Sequence, residues 1–266
     1  MTDTHRDTIM RLALRVGAVC AKIMDEEMRE LTCKKLQADE IWAYVGKKQS
    51  RVTREDDRAR VGDQWTFVAL DADTKLVPVY LVGKRTTTNA TIFMKDLASR
   101  LSNRVQLSTD GLNSYVTAVE EAFGIDVDYA QIVKAYEAEP VEPGRYSPPR
   151  VVSTAKTVLV GRPASADITT SHVERQNLTM RMSMRRFTRL TNGFSKKLEN
   201  LQAAVALHFC HYNFCRIHKT LKITPAMAAG VSSRLWSIEE MVERTAWTGS
   251  PVQGAGGRWF KAEDRN

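Results

Sequence analysis

The chain has no uninterrupted apolar run long enough to cross a membrane. Its most apolar early stretch, Leu12 to Met24, is broken by Arg15 and Lys22, which also disqualifies it as the core of an export signal. Cysteine is scarce. The four residues Cys20, Cys33, Cys210 and Cys215 include no CxxC pair, so no disulfide framework is expected and a reduced, cytosolic setting follows. Internal repeats and low-complexity tracts are also missing, which excludes solenoid architectures. What is present in excess is positive charge. Lys and Arg number 39 against 31 Asp and Glu, a formal net charge of +8, which favours a polyanionic partner such as nucleic acid. With 266 residues and 43% hydrophobic content, the chain has room for one sizeable mixed domain plus a helical flank.

Periodicity divides the chain. Ile9, Leu12, Val16, Val19, Ile23 and Met24 recur at helical spacing, so one or two helices lead. Leu36 to Val45 reads as a strand, followed by a charged loop from Gly46 to Gly62. Trp65 to Leu70 and Leu76 to Val82 read as strands joined by Asp71-Ala-Asp-Thr-Lys75. Thr88 to Leu101 is helical, and Val105 to Thr109 is a short buried-type strand ending at Asp110-Gly111. A helix over 112–124 and a fifth strand over 127–135 follow. The prolines and glycine of 136–150 predict a loop, and 151–160 is extended. Helical pattern returns from Ser171 through Arg186 and from Ser195 to Lys219, then in short helices to about 245 before a mobile tail.

This order is that of a ribonuclease-H-like α/β fold: a mixed five-stranded sheet flanked by helices, with an amino-terminal helical segment and a carboxyl-terminal helical extension. The expected units are a helical segment 1–34, a catalytic domain 35–231 and a helical, flexible tail 232–266. In such a sheet the first and fourth strands are neighbours, which brings Asp39 and Asp110 together. Like charges at that range repel unless cations sit between them. Glu174, at the start of the Ser171 helix, would complete an all-oxygen set suited to Mg²⁺ or Mn²⁺, and two such ions serve phosphodiester chemistry. Each acid also has a plainer reading: Asp39 as an exposed strand residue, Asp110-Gly111 as a turn, and Glu174 as the partner of Ser171 in a capping box. Glu40 is set aside because strand side chains alternate, and Asp71 and Asp73 because they fall at a hairpin.

Three segments carry a resemblance. Gln37-Ala-Asp-Glu-Ile-Trp-Ala-Tyr-Val-Gly-Lys-Lys48, Leu107-Ser-Thr-Asp-Gly-Leu-Asn-Ser-Tyr115 and Ser171-His-Val-Glu-Arg-Gln-Asn-Leu-Thr-Met-Arg-Met182 resemble the acidic motifs of bacterial insertion-sequence DDE transposases, closest to the insertion-sequence-one type. The likeness runs from about residue 8 to residue 231. It implies a DNA transposase acting on transposon ends and target DNA, with Asp39, Asp110 and Glu174 as catalytic metal ligands, at least a dimer in the synaptic complex, and a nucleoid-associated cytoplasmic location. It also implies that Arg181, two helical turns after Glu174, holds substrate phosphate. Tyr212, Asn213 and His218, in a stretch similar to the closing motif of integrase-like transposases, would hold a helix against the fold. Such transposases usually begin with a zinc-binding element and a complete helix-turn-helix. Here the opening His5-Arg-Asp-Thr-Ile-Met-Arg-Leu-Ala-Leu-Arg15 resembles the recognition helix alone, as in an amino-terminally truncated copy, with Thr4, Arg6, Thr8 and Arg11 available to DNA. A nuclease of the same fold and a non-catalytic DNA-binding remnant are the alternative readings.

Two basic groups flank the proposed acids. Arg181, Arg185, Arg186, Arg189, Lys196 and Lys197 follow Glu174, and Lys47, Lys48, Arg51, Arg54, Arg58 and Arg60 crowd the loop after the first strand. Both are expected to contact phosphate backbone without reading sequence. His211, Cys215 and His218 share a helical face, but packing of the thiol in the core outweighs a zinc site there. His172 is a further candidate for touching substrate.

Overall fold

Eleven residues of β-rich sequence, Lys35–Val45, form the central strand β1, and the rest of the fold is arranged around it. The computed structural model describes residues 4–137, 150–188 and 191–246. Strands β2 (Gly62–Asp71) and β3 (Tyr80–Gly83) continue from β1 as an antiparallel meander. A helix α2 (Thr87–Ala98) then carries the chain back to β4 (Val105–Thr109), which lies parallel to β1 on its other side. Helix α3 (Asn113–Phe123) leads to β5 (Val127–Glu137), parallel to β4. The sheet order is therefore β3-β2-β1-β4-β5-β6.

The sixth strand corrects the five-stranded expectation. Residues Arg150–Val160 form β6, paired antiparallel to β5 along its whole length. Their alternation is weak because residues 151–159 are exposed on both faces, so the strand is held by its ladder rather than by a buried stripe. The expected loop over 136–150 lies mostly outside the described residues, as does most of the expected tail. The hairpin at Asp71 forms as read: the Asp71 carboxylate accepts from the Thr74 amide and hydroxyl, and Lys75 takes a positive φ of 61°. After it, β3 starts only at Tyr80, because Val77 pairs instead with a side chain. Asn213 accepts from the Val77 N–H at 3.1 Å and donates to its carbonyl at 2.9 Å.

Seven α-helices flank the sheet among the described residues. Helix α1 (Arg6–Glu27) is a single helix whose second half enters the same continuous core as the sheet through Val16, Cys20, Ile23 and Met24. It lies against α5 (Leu198–Cys210) at very short range: a Cβ placed on Gly17 would come within 2.6 Å of the Ala203 backbone. The buried Arg100 guanidinium donates to the Met24 and Met28 carbonyls and pairs with Asp25 and Asp96, which ties the end of α1 to α2. The first half of α1 is solvent-facing, with Ile9 and Leu12 about half exposed.

Helix α4 (Ser171–Ser183) crosses the sheet on β1, burying Val173, Gln176, Asn177 and Met180 at i, i+3, i+4 and i+7. The expected helix from Ser195 to Lys219 is shorter. After α5 the chain widens into one π turn over His211–Cys215 and leaves helical geometry at Arg216. Two short helices, α6 (Pro225–Ala228) and α7 (Ile238–Ala246), close the described chain. No helix among the described residues is long and apolar enough to cross a membrane.

Candidate metal centre

The parallel ladder between β1 and β4 ends at the pair Ala38 and Thr109. The next residue on each side is an acid, Asp39 on β1 and Asp110 beyond β4. Here the chain's winding reverses, since β1 leads outward to β2 and β4 leads the other way to β5, and ligands of sheet proteins favour crevices at such points. Carboxylate oxygens of Asp39, Glu40 and Asp110 all lie within 4.8 Å of one another. Asp110 is steadied by its own turn, accepting from the Leu112 amide at 3.1 Å.

Glu40 corrects the sequence reading, which set it aside. Alternation does give it neighbours different from those of Asp39: its carboxylate accepts from the Tyr115 hydroxyl of α3 and pairs with Arg85. The β1–β4 ladder has already ended here, and the Glu40 carboxylate comes within 4.8 Å of those of Asp39 and Asp110.

Asp39 faces α4, where Asn177 Nδ2 donates to it at 2.9 Å. Two residues earlier on the same strand face, Gln37 Oε1 accepts from the amides of His172 and Val173, at 2.8 and 3.1 Å. Thus β1 supplies the cap for α4 with one side chain and a second anchor with the next. The plainer alternative for Glu174, a capping box with Ser171, is replaced by this arrangement. Glu174 instead accepts from the Thr170 hydroxyl at 2.6 Å and pairs with Lys134 of β5. It stands outside the three-carboxylate cluster, yet close enough to raise the pKa of both Asp39 and Asp110.

Electrostatics show a site short of positive charge. Burial, then the charge of Asp110, pushes Asp39 up to about 6, and the same two causes push Glu40 up to about 7. Asp110 is also raised, chiefly by burial. The countering cations are Arg85, which pairs with Glu40 and stands 4.0 Å from Asp110, and Lys134 on Glu174. Arg85 was missed in the sequence because it sits in an unremarkable turn before α2; its guanidinium also lies 4.7 Å above the Trp65 ring. A set of carboxylate oxygens with raised pKa values fits a hard divalent cation such as Mg²⁺ or Mn²⁺. The buried Asn177 Oδ1 beside Asp39, without a partner among the described residues, adds a further oxygen to that environment.

The basic candidates disperse. Arg181 lies on α4 two turns beyond Glu174. Arg185 and Arg186 fall in a single 3₁₀ turn after it, where Arg186 donates to Ser195 Oγ at 2.8 Å. Lys47 is tied to Asp56 at 2.8 Å, whereas Lys48 is exposed. Arg6 and Arg11 project from the exposed half of α1, with Arg6 held 3.5 Å from Asp7. Arg189 lies outside the described residues. His172 stands beside Lys75, its ring nitrogens 3.4 Å from Nζ. The Tyr212 hydroxyl donates to the Lys75 carbonyl, so Tyr212 and Asn213 both fasten the π turn to the β2–β3 connection. His211, Cys215 and His218 do not gather into a metal-sized group among the described residues.

Comparison with known protein families and with curated proteins returns no match.

Proposed function

We propose that the chain is a metal-dependent DNA transposase of the DDE type, built on a ribonuclease-H-like domain, that cleaves and rejoins DNA. The observation that carries this reading is the convergence of Asp39 and Asp110 one residue past the end of the parallel β1–β4 ladder. The residue segments that resemble insertion-sequence transposases contain both of these acids. They also contain Glu174 on the helix that β1 caps.

When bound, Mg²⁺ or Mn²⁺, as two ions, would activate a water or a DNA 3′-hydroxyl and stabilise the leaving oxygen of the phosphodiester. Asp39 and Asp110 would hold the ions, with Glu174 as third ligand once its carboxylate leaves Lys134. Glu40 anchors Arg85 at the rim, which keeps a guanidinium beside Asp110 while the acids are unliganded. Arg181, Lys47 and Lys48 would meet the phosphate backbone, and Arg6 and Arg11 would contact DNA from the exposed half of α1. Joining two transposon ends to a target needs two such sites, so the working form would be at least a dimer.

The test is a strand-transfer assay on DNA bearing the ends of the insertion sequence that encodes the chain. Metal-dependent joined products that vanish in Asp110→Asn, with non-specific DNA binding retained, are expected. Full activity in that variant sinks the proposal. Cleavage without joining indicates a nuclease, and DNA binding without either reaction indicates a non-catalytic remnant.

A further inference from the structure

A cavity of about 900 Å³ lies apart from the carboxylates, between α1, α5 and the residues just after α4. Neither Asp39, Glu40, Asp110 nor Glu174 lines it. Its walls are of two kinds. Leu14 of α1 and Ala204 and Leu207 of α5 present an apolar side, and Arg185, Arg186 and Arg216 present a cationic one. Among the described residues no Asp or Glu lines the cavity, and no carboxylate pairs with Arg185 or Arg216.

His208, 9% exposed, also lines the cavity. Burial lowers its pKa to about 4, so near neutrality the fixed charge of the lining comes from the arginines. The volume falls in the range of small-molecule sites, which are mainly apolar with a few placed polar groups. A phosphate backbone alone would leave the apolar wall unused.

We propose that this cavity binds a small amphipathic anion, its aromatic or aliphatic body against Leu14, Ala204 and Leu207 and its acid group on Arg185 and Arg216. The site is independent of the carboxylate centre and stands whether or not the chain acts on DNA. Because α1 forms one wall, occupancy would also brace α1 against α5.

The probe is 8-anilinonaphthalene-1-sulfonate, titrated by fluorescence into the full chain without metal. One saturable site is expected. The double variant Arg185→Ala/Arg216→Ala, which alters exposed rim residues, is expected to weaken it by about tenfold, as loss of charge-assisted contacts does. Ala204→Trp should fill the cavity and abolish the site, with circular dichroism reporting whether the fold is kept. The uncharged analogue N-phenyl-1-naphthylamine should bind markedly more weakly. Unsaturable binding, equal affinity for the neutral analogue, or indifference to the double arginine variant overturns the proposal. Displacement of the probe by a short DNA duplex would show instead that the cavity rim is a backbone-binding surface.

Discussion

Asp39 and Asp110 each follow, by one residue, the last pair of the parallel β1–β4 ladder, Ala38 with Thr109. That register, more than the presence of the acids, makes a site. In parallel strands the next residues on each chain are level with one another, and the end of β4 leaves the crevice open for Glu40 to enter from the other side. Burial and nearby negative charge then raise the pKa values of all three carboxyl groups.

The first expected outcome concerns pH. Asp39 and Glu40 have folded-state pKa values raised to about 6 and about 7, so the folded protein retains protons that the unfolded chain has released. Stability of the metal-free protein is therefore greatest below about pH 4 as far as these groups contribute, and falls as pH rises to about 7. Added Mg²⁺ or Mn²⁺ should raise the melting temperature more at pH 8 than at pH 5, with protons released on binding. Thermal melts across this range, with and without metal, check it; a metal effect independent of pH would contradict it.

Arg85 competes with the ion for the same carboxylates. Arg85→Ala should strengthen Mn²⁺ binding at pH 8 by about three- to tenfold, since it removes a cation beside Glu40 and Asp110. The same change should destabilise the metal-free protein. Titration calorimetry paired with denaturation separates the two effects, and weaker Mn²⁺ binding in the variant would show that Arg85 supports the site instead.

Gln37 is the joint between strand and helix. Gln37→Ala leaves the His172 and Val173 amides without their cap and should cost about 1–2 kcal/mol in urea denaturation. It should also lower DNA cleavage beyond that loss of stability, because α4 carries Glu174. Restored cleavage in Gln37→Glu, which keeps an acceptor at the helix start, would tie the effect to capping.

Much of this was legible in the sequence. The strands 105–109 and Leu36 to Val45 are found where their apolar patterns place them, because both are buried and bounded by turn residues. Asp39 and Asp110 were identified as a pair. Glu40 was not, since period-two alternation describes a strand inside a sheet and fails where the neighbouring strand stops. Arg85, Gln37 and Asn177 left no local signal: each matters through a contact distant in the sequence. The extended reading of 151–160 holds in β6, but its place as a sixth strand left no signal because its residues are exposed on both faces, and β3 starts late because Asn213, far along the chain, takes the backbone groups of Val77.

Helix α1 offers a test of the scaffold alone. Gly17→Ala sets a methyl group against the Ala203 backbone and should destabilise the protein by about 1–3 kcal/mol, or force α1 away from α5. Metal binding at the β1–β4 crevice should be retained at temperatures where the variant is folded. An unchanged denaturation midpoint would show that the two helices separate easily.

The most direct measurement is a crystal structure of the protein grown with Mn²⁺, read by anomalous scattering. A manganese peak is expected between Asp39 and Asp110, about 2.0–2.3 Å from a carboxylate oxygen of each, with the peak lost in Asp110→Asn. A crevice that stays empty at saturating Mn²⁺, with Arg85 still on Glu40, would contradict it.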